Sequence, residues 1–277
     1  MAIALIAKNE GTTAVRALKR ELESSSSAES YAGAALLLAE KNVDLTLARQ
    51  WAEVALARAT EDMNGLTVQS YQAKDMAKVN ALAWAWDAMG WTLFRLGQTD
   101  AARPYLASAW HWGLLPQSAD HIGQLSERLN DRLNAAIAYA HSAHAWPKPT
   151  PEMRQKLRRA AGPAADVDSM IAGNGPVLIQ ERSVTLAWAG RAQGLAEFVV
   201  SFDRDARVTE ARLLRGPDDL KAFIPNLLGL RFPPRFASAS PSPPVTTVSV
   251  VCNNTGCMAA PTVPWAQMRQ SAGSQAP

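Results

Sequence analysis

Apolar residues in roughly the first 160 positions of the chain recur every three or four residues, which is the spacing of amphipathic helices. A single block repeats within this region: nine positions between 86 and 109 have counterparts 33 residues later, between 119 and 142. A glycine, Gly90 or Gly123, lies in the first helix of each copy. A helix pair of this length cannot bury its apolar face alone, so we predict that successive pairs stack into an α-solenoid.

Changes in this pattern divide the chain into five segments. They are an N-terminal helical segment (1–27), the solenoid (28–161), a linker rich in Ala, Gly and Pro (162–175), a small second domain (176–263) and a tail expected to be disordered (264–277). In the second domain apolar residues alternate, which predicts strands. The predicted fold class is therefore α plus α/β: an N-terminal α-solenoid followed by a small α+β domain with an antiparallel sheet and one helix.

Local patterns predict four further elements. Residues 61–76 are polar and are interpreted as an insertion in the turn before the first clear repeat. The alternation over 177–186 predicts the first strand of the second domain, and Pro217 is expected to begin a helix of about three turns that ends near Leu230. The last two strands flank a four-residue turn and are expected to form a hairpin.

Composition and charge exclude several classes of protein. With 48% apolar and 19% charged residues, the chain has the composition of an ordinary globular protein. Its net charge of +3 is small and dispersed, whereas a nucleic-acid-binding surface needs a clustered basic stripe. The apolar run before Lys8 is too short for a membrane span or for the core of a signal peptide. We therefore expect no nucleic-acid partner and no integral membrane segment.

Cys252 and Cys257 are the two cysteines of the chain, and they flank the turn of the last hairpin. Pairing of the strands would bring them opposite each other, so we expect a disulfide rather than a metal site. A disulfide implies an oxidising compartment, although the sequence shows no export signal. We therefore expect a periplasmic or other extracytoplasmic location if the chain is a fragment of a longer exported protein, and a cytoplasmic one if its start is genuine.

Residues about 28–146 carry the pattern of a known repeat. Five small or aromatic residues carry it: Trp86, Gly90, Gly97, Ala102 and Ala109. They occupy the packing positions of the tetratricopeptide repeat family, which this region resembles. In the second copy Ser126 replaces an expected large residue, and residues 28–60 resemble a degenerate third copy.

The second domain resembles another module. Segments 198–202 and 208–214, Gly216 and the run 230–234 follow the order found in the C-terminal domain of TonB-type energy transducers, which residues 176–263 resemble. The order of the two domains also resembles the C-terminal half of exported bacterial proteins that carry a transglutaminase-like module upstream. That module is absent here, and its Cys/His/Asp set cannot be assigned.

The first resemblance implies a binding surface. In tetratricopeptide proteins the first helix of each pair lines a concave groove, and the corresponding side chains here are Trp84, Asp87, Trp91, Arg95, Gln124 and Arg128. Indole, guanidinium and carboxylate groups together suit an extended peptide or a helix. The alternative is that Trp84 and Trp91 are buried between helices, as tryptophan usually is.

No catalytic residue, metal ligand or cofactor is expected. The four histidines, His111, His121, His141 and His144, lack the spacing of a zinc site, and no nucleophile motif or phosphate-binding glycine loop occurs. Our first hypothesis is a non-catalytic adaptor that binds a protein or peptide in the solenoid groove, with a cell-envelope protein as a second partner. The alternative is the accessory C-terminal half of a transglutaminase-like or peptidase-like enzyme, and a third hypothesis is oligomerisation through the solenoid face.

Overall fold

The computed structural model describes residues 11–145, 149–187, 193–237 and 239–262. The helices are α1 (Gly11–Ser24), α2 (Ala28–Glu40), α3 (Leu45–Met63), α4 (Met76–Arg95), α5 (Thr99–Gly113), α6 (Pro116–Arg128), α7 (Arg132–Ala145), α8 (Pro151–Ala161), α9 (Val167–Ala172), α10 (Asn174–Arg182) and α11 (Ile224–Leu227). The strands are β1 (Val184–Leu186), β2 (Gly194–Phe202), β3 (Val208–Arg215), β4 (Val245–Asn253) and β5 (Gly256–Pro261). The predicted mixture of a helical region and an antiparallel sheet is confirmed.

Local residues explain where the helices begin and where the chain turns between them. Asp44 and Thr150 accept hydrogen bonds from backbone amides three residues ahead, at Leu47 and Met153, and so cap α3 and α8. The turns after α4 and α6 need a left-handed residue, which Gly97 (φ 81°) and Asn130 (φ 59°) supply. As a result, α4 packs against α5 and α6 packs against α7 as two successive helix pairs.

The sheet is antiparallel throughout, in the order β1-β5-β4-β2-β3. Cys252 and Cys257 face each other across the β4–β5 hairpin and form the expected disulfide. The buried side chains of the sheet belong to the same hydrophobic cluster as those of α2 to α6. The second domain is therefore packed on the helical region through one continuous core.

Three local predictions are corrected by the structure. The predicted linker, 162–175, contains α9, which Asp166 caps by accepting from the Ser169 amide. The predicted strand over 177–186 is mostly α10, and only Val184–Leu186 is extended. The helix predicted from Pro217 to Leu230 is a 3₁₀ turn followed by the four residues of α11.

The polar segment 61–76 is partly helix and partly a packed turn. Helix α3 extends to Met63, and the turn that follows buries Val68 and Tyr71. Arg212 of β3 donates to the carbonyl oxygens of both residues, each at 2.8 Å. The segment interpreted as an insertion therefore joins the helices to the sheet.

Two further predictions concern the C-terminal tail and a membrane segment. The tail 264–277 lies outside the described residues. Within the described ranges, no helix combines the length and the apolar character that a membrane crossing requires.

Candidate functional site

The helix face predicted to bind a partner has a buried polar centre between α4 and α6. Asp87 is fully buried, and its carboxylate lies 3.0 Å from Nδ1 of His121. The imidazole stacks on the indole of Trp91, with ring centroids 4.0 Å apart and planes 8° from parallel. Gln117 donates to the second carboxylate oxygen of Asp87 at 3.4 Å. These contacts fix α4 against α6.

Two of the six predicted groove residues are therefore corrected. Asp87 is 0% exposed and Trp91 is 3% exposed, so neither side chain is available to a partner. For Trp91 the structure agrees with the alternative, burial between helices. The physical reason is His121, whose ring occupies one face of the indole and whose Nδ1 engages the carboxylate of Asp87.

The sequence analysis missed one signal, which is the separation along the chain between these residues and their partners. First helices of neighbouring repeats lie side by side, so residues about one repeat apart come into contact. Asp87 and His121 are 34 residues apart. Asp120 and Lys156 of α8 are 36 residues apart and form an ion pair at 2.7 Å. A search for complementary side chains 33 to 36 residues apart would have found both pairs.

The other four predicted residues are less buried and are named here the α4–α6 rim: Arg128 is exposed, and Trp84, Arg95 and Gln124 are half-buried. Arg95 donates to the Glu40 carbonyl at 3.0 Å, with its guanidinium 5.5 Å from the centroid of the Trp91 ring. Gln124 donates to Asp120 at 2.8 Å. Arg128 is exposed and makes no hydrogen bond or ion pair with the described residues.

A second polar network continues the stack from α6 to α8. Glu127 accepts two hydrogen bonds from Arg159 and one from the Tyr139 hydroxyl, at 2.8 to 2.9 Å. The bond from Arg159 is the main reason that the pKa of Glu127 is lowered. These groups are ion-paired and hydrogen-bonded to one another, which is an arrangement that stabilises helix packing.

A buried cation lies where the second domain meets α5. Arg182 donates to the carbonyl oxygens of His111, at 2.6 and 3.1 Å, and of Pro261, at 3.2 Å. The His111 carbonyl belongs to the last turn of α5, where the helix dipole is negative. Burial lowers the pKa of Arg182 to about 9. Burial, followed by the charge of Arg182, holds the pKa of His111 well below its ordinary value.

His141 forms a third buried centre, beside α10. Its Nδ1 lies 2.6 Å from Oδ1 of Asn174 and its Nε2 lies 2.9 Å from Oε2 of Glu181. Glu181 also pairs with Arg235 of the proline-rich loop, residues 232–244, which lies between α11 and β4. Both ring nitrogens are occupied, so His141 joins α7 to α10 and to that loop.

None of these centres has the arrangement of a metal site. In the described segments of the chain, no group of three or more His, Cys, Asp or Glu side chains could hold a metal ion. Both cysteines are taken up by the disulfide.

The chain was also compared with known proteins: no family model, curated protein or solved structure matches it. The resemblances to tetratricopeptide repeats and to the TonB-type module therefore stay predictions. The cell-envelope partner that the second resemblance implies stays a prediction for the same reason.

Proposed function

We propose that the protein is a non-catalytic interaction scaffold that binds a peptide or helix of a protein partner along the α4–α6 rim. The observation that carries this proposal is the buried contact of Asp87 with His121 beneath the rim. It fixes the two helices, so the rim side chains are presented at a constant separation. Less conformational freedom is then lost on binding.

The side chains of the rim indicate the chemistry of the partner. Arg95 and Arg128 are the last residues of α4 and α6, so two guanidinium groups stand one repeat apart. Trp84 adds an indole that is only partly buried. A segment with acidic residues near an aromatic or aliphatic residue would pair with the cations and cover the indole.

Affinity capture from extracts of the source cells tests this proposal. The baits are the wild type, the double variant Trp84→Ala/Arg128→Ala, and a control double variant Lys19→Ala/Arg20→Ala on α1. Lys19 and Arg20 are exposed and, among the described residues, make no ion pair, so their removal should leave binding intact. Circular dichroism of each bait verifies that it is folded.

The outcomes are distinct. We expect a protein that the wild type and the α1 control retain and that the rim variant loses. Equal capture by all three baits would place the contact elsewhere and contradict the rim. Capture by none would favour the alternative, an accessory half of an enzyme, which a catalytic domain encoded directly upstream would support.

A further inference from the structure

The chain contains two Asn-Gly dipeptides, and they lie in different surroundings. Asn64-Gly65 is in the exposed turn that follows α3, whereas Asn174-Gly175 begins α10. An asparagine side chain can react with the backbone nitrogen of the next residue, and glycine obstructs that attack least because it has no side chain. The surroundings of each dipeptide therefore decide whether it reacts in the folded protein.

The two groups that would react at the first dipeptide are free. The side chain of Asn64 is exposed and makes no hydrogen bond with the described residues, and the same holds for the backbone N–H of Gly65. One hydrogen bond closes the turn, from the Leu66 amide to the Met63 carbonyl at 3.2 Å. Asn64 has φ −63° and ψ 137°, and Gly65 has φ 77°, which are the angles of a type II turn.

The turn also leaves room for the reaction. The nitrogen of Gly65 approaches Cγ of Asn64 when the peptide plane between them rotates about the Cα–C bond of Asn64. A Cβ atom added at Gly65 would have nothing within 4 Å, so the space around this residue is open. A turn that is exposed and closed by a single hydrogen bond can make such a rotation without unfolding the core.

The second dipeptide has none of this freedom. Asn174 is 5% exposed, and its Oδ1 lies 2.6 Å from Nδ1 of His141. Gly175 is part of α10, and a Cβ atom added there would lie 3.2 Å from Nε2 of His144. The chain therefore carries its own control, the same dipeptide held by the fold.

We propose that Asn64 is a site of spontaneous deamidation in the folded protein, with water as the co-reactant. The Gly65 nitrogen gives its proton to hydroxide and attacks Cγ of Asn64. An N–Cγ bond forms, the Cγ–Nδ2 bond breaks, and the leaving nitrogen takes a proton from water and departs as ammonia.

Water then opens the resulting five-membered imide at one of its two carbonyl carbons. Opening at Cγ restores the main chain and gives aspartate. Opening at the main-chain carbon gives isoaspartate, in which the chain runs through Cγ. The inference does not depend on the proposed partner, since this turn shares no residue with the α4–α6 rim.

Both products change the junction between the helices and the sheet. They place a carboxylate at the C-terminus of α3, where the helix dipole is negative and where Glu61 and Asp62 already lie. Isoaspartate also adds one CH₂ group to the main chain within the turn. The turn leads into the segment in which Val68 and Tyr71 accept hydrogen bonds from Arg212. We therefore expect the modified protein to have a lower Tm than the unmodified one.

The test is incubation of the folded full chain at physiological temperature, at neutral and at mildly alkaline pH. Pepsin digestion in acid then halts the reaction, and mass spectrometry of the peptides detects the gain of about 1 Da that deamidation causes. Fragmentation of the peptides distinguishes isoaspartate from aspartate. The controls are Asn64→Gln, which keeps a side-chain amide but needs a six-membered ring, and the wild type in urea, where the fold restrains neither dipeptide.

We expect the peptide that contains residue 64 to gain mass in the folded protein while the peptide that contains Asn174 does not. Aspartate and isoaspartate should both be present at position 64. Conversion should be faster at the alkaline pH, because the deprotonated nitrogen is the attacking group. Asn64→Gln should abolish the gain, and in urea Asn174 should be converted as well.

Three results would overturn the proposal. They are no mass gain at Asn64 in the folded protein, equal conversion of Asn64 and Asn174 in the folded protein, and aspartate without isoaspartate, which would exclude the imide. Modified protein isolated by anion exchange with the Tm of the unmodified protein would contradict the expected effect on the turn.

Discussion

Two glycines determine how closely the helices of each pair approach. A Cβ atom added at Gly90 would lie 2.7 Å from Cγ of Leu106, and one added at Gly123 would lie 2.4 Å from the ring of Tyr139. Each distance is shorter than carbon atoms tolerate, so the helices could keep their present separation only without that atom. Gly33, in α2, has nothing within 4 Å of the same position.

These distances predict opposite effects of the same substitution at two sites. Gly90→Ala should lower the free energy of unfolding by about 1–3 kcal/mol, because the helices must move apart. Gly33→Ala should raise it by about 0.5–1 kcal/mol, because alanine restricts the unfolded chain and favours the helix. Urea denaturation followed by circular dichroism measures both. Equal effects at the two positions would contradict the close crossing at Gly90.

The buried imidazole of His111 predicts a dependence of stability on pH. Its pKa in the folded protein is held well below 6.5, its value in the unfolded chain, by burial and then by Arg182. Below about pH 6.5 the unfolded state therefore binds a proton that the folded state does not, and stability falls as the pH falls, by up to about 1.4 kcal/mol per pH unit. Above that pH the two states bind the same number of protons at this site.

Substitution of His111 by asparagine should reduce this dependence. Free energies of unfolding measured at about pH 5 and at about pH 7 should differ less for His111→Asn than for the wild type. His144→Asn is the matched control, because it makes the same substitution at an exposed histidine. A wild-type protein that is equally stable at both pH values would contradict the argument.

At the scale of elements, the hairpin of β4 and β5 carries the one covalent crosslink. The disulfide joins residues five positions apart, so it restricts only a short loop of the unfolded chain. Cys252→Ala/Cys257→Ala should therefore lower the free energy of unfolding by about 2 kcal/mol without loss of the fold. Reduced wild-type protein should show a similar loss in guanidinium denaturation, and identical midpoints for oxidised and reduced protein would contradict it.

Sequence patterns predicted some elements well and others poorly, for physical reasons. The helices of the two clear repeats could be predicted from the sequence. Their period of 3.6 residues, their small residues and their turn residues, Gly97 and Asn130, all indicate the same helix pairs. The segment from 162 to 186 was misassigned because its structure depends on distant partners. Arg182 is positioned by the carbonyl of His111, 71 residues away, and no local pattern contains that contact.

The candidate site was predictable to a similar degree. The resemblance to tetratricopeptide repeats assigned Trp84, Arg95, Gln124 and Arg128 to one face; of these Arg128 is exposed and the other three are half-buried. It could not show that Trp91 is covered, because the residue that covers it comes from the next repeat.

For the whole molecule, the continuous core predicts that helices and sheet unfold together. Thermal unfolding is followed by tryptophan fluorescence of the variant Trp146→Phe/Trp188→Phe/Trp265→Phe, whose remaining indoles all lie in α3 to α5. It should coincide with unfolding followed by hydrogen exchange of the β2 and β4 amides. Two separate transitions would show that the second domain folds independently of the helices.

Replacement of Arg212, which contacts the turn after α3, tests the coupling of the helices to the sheet at a single residue. Arg212→Met removes two hydrogen bonds to the carbonyls of Val68 and Tyr71, and it should lower the free energy of unfolding by about 1.5–3 kcal/mol. Arg204→Met, in an exposed turn, is the control and should change stability little. Equal stability of the two variants would contradict a role for Arg212 in joining the domains.

The strand order has a consequence for synthesis on the ribosome. Helices α2 to α7 make most of their contacts with the next helix in the chain, so they can begin to pair as they emerge, before the sheet completes their core. Strand β1 cannot, since its neighbour in the sheet is β5, which is translated about 70 residues later. Until then β1 has no partner, and the nascent second domain presents an incomplete sheet to chaperones. A translational pause within the codons for residues 187–255 would prolong that exposure, whereas a pause before residue 160 would not.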